Sequence, residues 1–251
     1  MKGRRAALVF AAAGAMYAIV LIATAPAAWI ARTVERASAH KLQLREPVGS
    51  LWAGSGRLYA DQRTGPLLDL GLLRWSTSWT ALLGGTLAAD LALGETSKIM
   101  HVQMSPTHTT IRGLNLELPG KLLSAYAPGL EAFGPEGMLR IRSDDLRFDD
   151  GSVLGLMEIE WRQIRLARGQ GLDLGSHIAR LRGSGSKVDI ELGTIEGALR
   201  LSGGGSWARD AGLTLSGTAE HSAEQSPALA SFLRGVCTEY RDHRCAFRLK
   251  P

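Results

Sequence analysis

Residues 138–161 read MLRIRSDDLRFDDGSVLGLMEIEW, and their pattern decides the fold. Met138-Leu139-Arg140-Ile141-Arg142 and Met157-Glu158-Ile159-Glu160-Trp161 alternate apolar and polar residues. A period of two sends successive side chains to opposite faces of a strand. Between the two runs, Asp149-Asp150-Gly151 carries a hairpin-turn signal, because Asp and Gly tolerate the positive φ that a tight turn demands. The segment therefore predicts two antiparallel strands with one apolar face.

The same alternation recurs on both sides. It shows, in part or in full, at Leu42-Gln43-Leu44, Val48 to Tyr59, Leu87 to Leu93, Ile99 to Met104, Leu114 to Leu118, Leu146 to Phe148, Val188 to Leu192, Ala198 to Leu201 and Leu213 to Leu215. The intervening turns are too brief to house βα crossovers, so the expected architecture is mainly β, a large, curved, mostly antiparallel sheet. Thirty glycines in 251 residues agree, since glycine is costly in helix interiors and useful at turns and bulges. Three short helices are expected on the apolar face, at Ser76–Leu83, Pro119–Leu130 and Ser226–Leu233, each with a cap or an apolar stripe at helical spacing. Ser202-Gly203-Gly204-Gly205-Ser206 reads as a turn or bulge, and Asp144-Asp145 and Asp149-Asp150 read as solvated turns. No linker divides residues 32–251, which form one β-rich domain.

Residues 6–31, AALVFAAAGAMYAIVLIATAPAAWIA, hold no charge. As a helix they would extend roughly 39 Å, against a hydrocarbon core of about 30 Å. A signal peptide cut after Ala23-Thr24-Ala25 is the competing reading, but the run is longer than a signal's apolar region and Pro26 would follow the cut. The reading adopted is an uncleaved transmembrane anchor, with Trp29 at the lipid–water boundary. Lys2, Arg4 and Arg5 precede it and no acid occurs before Glu35, which places residues 1–5 in the cytoplasm and the body in the periplasm, at the inner membrane. Beyond the anchor the charges nearly balance, with no basic stripe to neutralise phosphates, so nucleic acid is not an expected partner.

Cys237 and Cys245 suit a small-loop disulfide in an oxidising compartment, although with His243 they could also contribute to a metal site. The disulfide is preferred, because the spacing is not that of a zinc finger. His40, His101, His108, His177, His221 and His243 are scattered and read as surface residues. No phosphate loop, dinucleotide fingerprint or nucleophile elbow is present. Neither an enzymatic activity, a catalytic residue, a metal nor a cofactor is expected.

Gly49-Ser50-Leu51-Trp52-Ala53-Gly54-Ser55-Gly56 resembles the Gly-Thr-Leu-Trp-Ser-Gly signature of protein N of the bacterial type II secretion system. Leu73-Arg74-Trp75, Ala81 to Gly85 and Leu114-Asn115-Leu116 before Leu118-Pro119 follow in a similar order, and the likeness covers roughly residues 5–235. Ser50 and Ala53 depart mildly from the pattern, and the tail from Val236 to Pro251 lies outside it. The resemblance implies an accessory inner-membrane subunit whose periplasmic β domain meets other secretion subunits, the inner-membrane platform and the secretin. It implies a structural role for Gly49, Leu51, Trp52, Gly54 and Gly56, with Trp52 filling core volume. The family is also similar in sheet architecture to AsmA-like and bridge-like lipid-transfer proteins. Two roles follow: a scaffold that docks partners through edge strands, or a lipid-binding module whose apolar groove takes acyl chains.

Overall fold

A computed structural model describes residues 13–14, 16–17, 20–62, 65–94, 99–123, 134–166, 172–221, 229, 233, 237, 239–241 and 243–249. Helix α1 (Ala28–Ala37) precedes strands β1 (Leu42–Gly49), β2 (Ala53–Ala60) and β3 (Leu68–Ser78). A short helix α2 (Trp79–Leu83) leads to β4 (Leu87–Leu93), β5 (Met100–Met104), β6 (His108–Pro119), β7 (Pro135–Asp149) and β8 (Ser152–Leu166). The chain continues through β9 (Leu172–Gly185), β10 (Lys187–Glu196), β11 (Leu199–Ala208), β12 (Gly212–His221), β13 (Glu239–Arg241) and β14 (Arg244–Leu249). The described residues form one 14-stranded sheet in simple meander order, except that β14 sits between β12 and β13. Every pair is antiparallel, as the short turns require.

Register turns the sequence alternation into two unlike faces. One row across the sheet reads Leu116, Ile141, Ile159, Ala179, Leu192, Gly203, Gly217 and Phe247. On the other face Arg142, Glu158, Arg180 and Glu191 oppose one another in alternating sign, and Arg180 pairs with Glu158 at 3.1 Å. That face neutralises itself.

The apolar face is sealed at two places. Over β1–β4, Ile30, Ala31 and Val34 of α1 pack on a core of Ala27, Leu44, Leu58 and Trp75. Over β8–β12, the helical residues Leu229 and Leu233 are buried against Ile164, Leu166, Leu174 and Leu199. Cys245 belongs to this second cluster and is bonded to Cys237, so the disulfide ties the helical segment to β14. With both thiols consumed, the metal alternative at His243 falls away. Replacing Cys237 and Cys245 by Ser is expected to cost about 2–3 kcal/mol from loop entropy, read as a lowered urea midpoint. A midpoint unchanged in the double variant would show that Leu229 and Leu233 hold the end alone.

Several local expectations are corrected. Ser202–Ser206 is no turn: it lies inside β11, with Gly203–Ser206 paired on both sides. A Cβ at Gly217 would come within 2.6 Å of the Phe247 ring and one at Gly203 within 2.6 Å of the Ser216 oxygen, so Gly217 clears space beneath an aromatic side chain and Gly203 lets the backbones approach closely. Asp144-Asp145 is a strand bulge, where three residues of β7 after Arg142 oppose two of β8 and Asp145 faces Arg112. Asp150-Gly151 does form the expected tight turn, with Gly151 at φ +85°. The helix expected at Ser76–Leu83 begins only at Trp79, because Ser76–Ser78 continue β3. Pro119 ends β6, and most of the helices expected at Pro119–Leu130 and Ser226–Leu233 lies outside the described residues.

Both edges of the sheet are blunted. Edge strand β1 carries Pro47, which has no N–H, beside Glu46 at φ +52° in a register shift. The opposite edge, β13, has three residues.

Candidate functional site at the head of the first hairpin

The motif Gly49–Gly56 forms the β1–β2 hairpin, and its geometry explains its composition. Gly49 turns the chain at φ +99° opposite Gly54, and a Cβ there would lie 2.8 Å from the Gly54 Cα. The Ser50 hydroxyl accepts the backbone N–H groups of Trp52 (3.2 Å) and Ala53 (3.3 Å), an arrangement that a hydroxyl side chain supplies and alanine does not. Gly56 leaves room for Leu44, whose Cδ1 would stand 3.0 Å from a Cβ. Gly54 leaves room for Trp75, whose Cζ2 would stand 2.6 Å from one.

Every carbonyl from Gly49 to Trp52 has a partner drawn from another part of the chain. Ala27 N–H donates to Gly49 O at 3.2 Å, the Trp75 indole to Ser50 O at 3.0 Å, the Thr77 hydroxyl to Leu51 O at 3.3 Å and the Thr77 N–H to Trp52 O at 2.6 Å. In the reverse direction Leu51 N–H donates to Ala25 O at 2.8 Å, and the Trp52 indole donates to Ile22 O at 3.0 Å. Pro26 pairs with Ser50 as an antiparallel bridge. A turn with unpaired carbonyls would have to stay in water; this one grips the chain that precedes the domain.

What it grips is the end of the apolar run. Residues 20–23 are helical, the chain turns at Thr24, and Ala25 and Ala27 are buried at 3% and 2% exposure. Residues 28–31, which the sequence reading assigns to the anchor, form the first turn of α1, where Ile30 and Ala31 pack on the sheet. Pro26 suits an extended bridge because its missing N–H leaves nothing unpaired on the outer side. Met16, Tyr17, Val20, Leu21 and Ile22 are all at least half exposed. Among the described residues no helix is long and apolar enough to cross a membrane; residues 1–12, 15, 18 and 19, which include the start of the apolar run, lie outside them.

Of the residues expected to matter, Gly49, Leu51, Trp52, Gly54 and Gly56 are brought together here. Trp52 is not a core residue: it is half-buried, and its indole bonds to the leader. The core position belongs to Trp75, 5% exposed and 25 residues from its carbonyl partner Ser50. Ala25, Pro26 and Ala27 were missed because their small size reads as a signal-cleavage pattern; a proline flanked by two small residues just before a strand is the trace they leave.

Over residues 40–248 the chain matches the family model described as type II secretion system (T2SS), protein N. The chain belongs to that family. The protein N match runs on through Cys237 and Cys245, so the disulfide-bearing tail is part of the family region, whereas residues 1–39 precede it. No curated protein and no solved structure matches the chain, and the AsmA-like similarity gains no support from these comparisons.

The remaining polar groups are accounted for by packing. Among the described residues no cluster of His, Cys, Asp and Glu could hold a metal ion. Contrary to the surface reading, His221 is buried, with Nε2 2.7 Å from the Tyr240 hydroxyl, and His177 lies half-buried between Trp161 and Thr194, 3.1 Å from the Thr194 hydroxyl. Burial pushes the His177 imidazole below its ordinary value of 6.5, with a smaller opposing effect from Leu174. The unfolded chain therefore takes up this proton first as pH falls, so the contribution is intact above pH 6.5 and lost below it. Urea midpoints are expected to drop between neutral and acidic pH, and His177→Asn to remove that part of the slope; an identical slope in the variant would acquit His177.

Proposed function

We propose that this protein N family member is an accessory, non-enzymatic subunit of the type II secretion machine. Its N-terminal apolar segment sits in the inner membrane, residues 1–5 lie in the cytoplasm and the sheet stands in the periplasm. The observation that carries the reading is the grip of Ser50, Leu51 and Trp52 on Ile22, Ala25 and Pro26, which couples an exposed apolar leader rigidly to the first hairpin. A loosely tethered domain would need no such grip.

The blunted edges make strand addition a poor docking route, so contact with platform subunits or the secretin runs over faces and loops. The test is deletion of the gene with measurement of secreted enzymes left in the periplasm, together with crosslinking from the full chain. Retention of cargo and a crosslink to a secretion subunit are expected. Normal export without any such crosslink would sink the reading.

The lipid-module alternative draws on one feature, an open depression of about 810 Å³ over β7–β10 whose lining includes Met157, Leu181 and Ile190. Native mass spectrometry of the gently purified full chain decides it: bound lipid mass supports an apolar groove, and none leaves the scaffold role.

A further inference from the structure

In a meander the turns alternate between two ends of the sheet, and the two ends of this one differ. One end carries the β1–β2, β3–β4, β5–β6, β7–β8, β9–β10 and β11–β12 turns. Four of the six tryptophans lie at that end, spread along it. Trp52 lies in the first turn, Trp79 opens α2 in the second, Trp207 stands one residue before the end of β11, and Trp29 begins α1 beside the gripped leader. Trp29, Trp79 and Trp207 are 59%, 62% and 37% exposed. The other two tryptophans are Trp75, in the core, and Trp161, which donates its indole N–H to Glu136 O.

Exposed aliphatic and aromatic residues continue the same rim. Leu82 projects from α2; Leu87 opposes Met104, which opposes Thr109 and then Phe148; Leu213 opposes Trp207. The opposite end exposes Ile99, Met138 and Ile195 but no tryptophan among the described residues. A folded domain in water has no reason to gather its exposed indoles at the one end where an apolar leader departs. Indole rings favour the boundary between hydrocarbon and water, where the ring is buried and the N–H stays wet.

We propose that this odd-turn end of the sheet is a membrane-contact rim, which lies against the surface of the bilayer and stands the strands up from it. The occupant is phospholipid, engaged by Trp79, Leu82, Trp207 and Leu213 in addition to the leader. The inference rests on the anchor reading for its direction, and it adds a second, separate contact.

The experiment uses the full chain in liposomes with and without brominated acyl chains, and an environment-sensitive fluorophore on single introduced cysteines. Trp79→Cys and Trp207→Cys probe the rim, Ile195→Cys the far end, and Val20→Cys the leader; Leu82→Cys and Leu213→Cys substitute if either tryptophan variant misfolds. Bromination is expected to lower emission about twofold at positions 79 and 207 and to leave 195 unchanged, as an interfacial ring position requires. Quenching at 20 alone leaves the anchor standing and overturns the rim. Quenching at 79 and 207 without 20 supports the rim and overturns the anchor. Equal quenching at 79, 207 and 195 overturns the upright orientation. Blue-shifted but unquenched labels at 79 and 207 mean that protein, such as a second copy, covers the rim, and overturn it.

Discussion

Trp75→Ala is expected to lower the unfolding free energy by about 3–5 kcal/mol, the range for truncating a fully packed aromatic side chain. The indole lies against Gly54, is enclosed by Ala27, Leu44 and Leu58, and donates its N–H to the Ser50 carbonyl. Truncation leaves a cavity under α1 and an unpaired carbonyl in the turn that holds the leader. Trp75→Phe keeps an aromatic ring in the slot but loses the pyrrole portion and its donor, so it should cost less than Trp75→Ala, with about 1–2 kcal/mol of its cost coming from the orphaned oxygen. Urea unfolding followed by near-ultraviolet circular dichroism measures both. Proteolysis at Arg32 and Arg36 should quicken in the alanine variant as α1 loosens. Equal stability of Trp75→Ala and the parent would show that the grip on the leader does not depend on this ring.

Gly54→Val should destabilise by about 3 kcal/mol or more, the upper end for forced overpacking, because relief requires the backbone to move. Its Cβ would strike the Val48 carbonyl oxygen and the Trp75 ring together. Gly193→Ala is the matched control: its Cβ would meet only Ile178 Cγ2, at an ordinary 3.6 Å, and loss of unfolded-state freedom predicts a neutral or slightly stabilising change. In cells Gly54→Val should leave secreted enzymes in the periplasm, while Gly193→Ala exports normally. If both glycine variants unfold at the same urea concentration, the slot for Trp75 is not what Gly54 provides.

The strands were readable because their alternation is a local property. Arg140 and Ile141, or Glu158 and Ile159, take opposite faces wherever the strand sits, so the single apolar face and the antiparallel meander follow from spacing. The failures have a common cause. Gly203 and Gly205 carry every mark of a turn until the Ser216 and Thr214 backbones are seen beside them, and Asp144-Asp145 has the composition of a loop although the β7 bulge absorbs it. Trp52 and Trp75 look interchangeable as apolar anchors, and only the distances separate the one that bonds outward to Ile22 from the one enclosed beneath the hairpin.

By itself, the order of residues determined a mainly β chain with one greasy side, an uncharged leader, a motif shared with protein N and a cysteine pair close enough to bridge. Tertiary structure decided where the leader ends, which tryptophan is core and which turns share an end with it. Period-two patterning acts between neighbours two residues apart, whereas the grip on Ala25 and Pro26 and the gathering of Trp29, Trp79 and Trp207 depend on register accumulated over many strands.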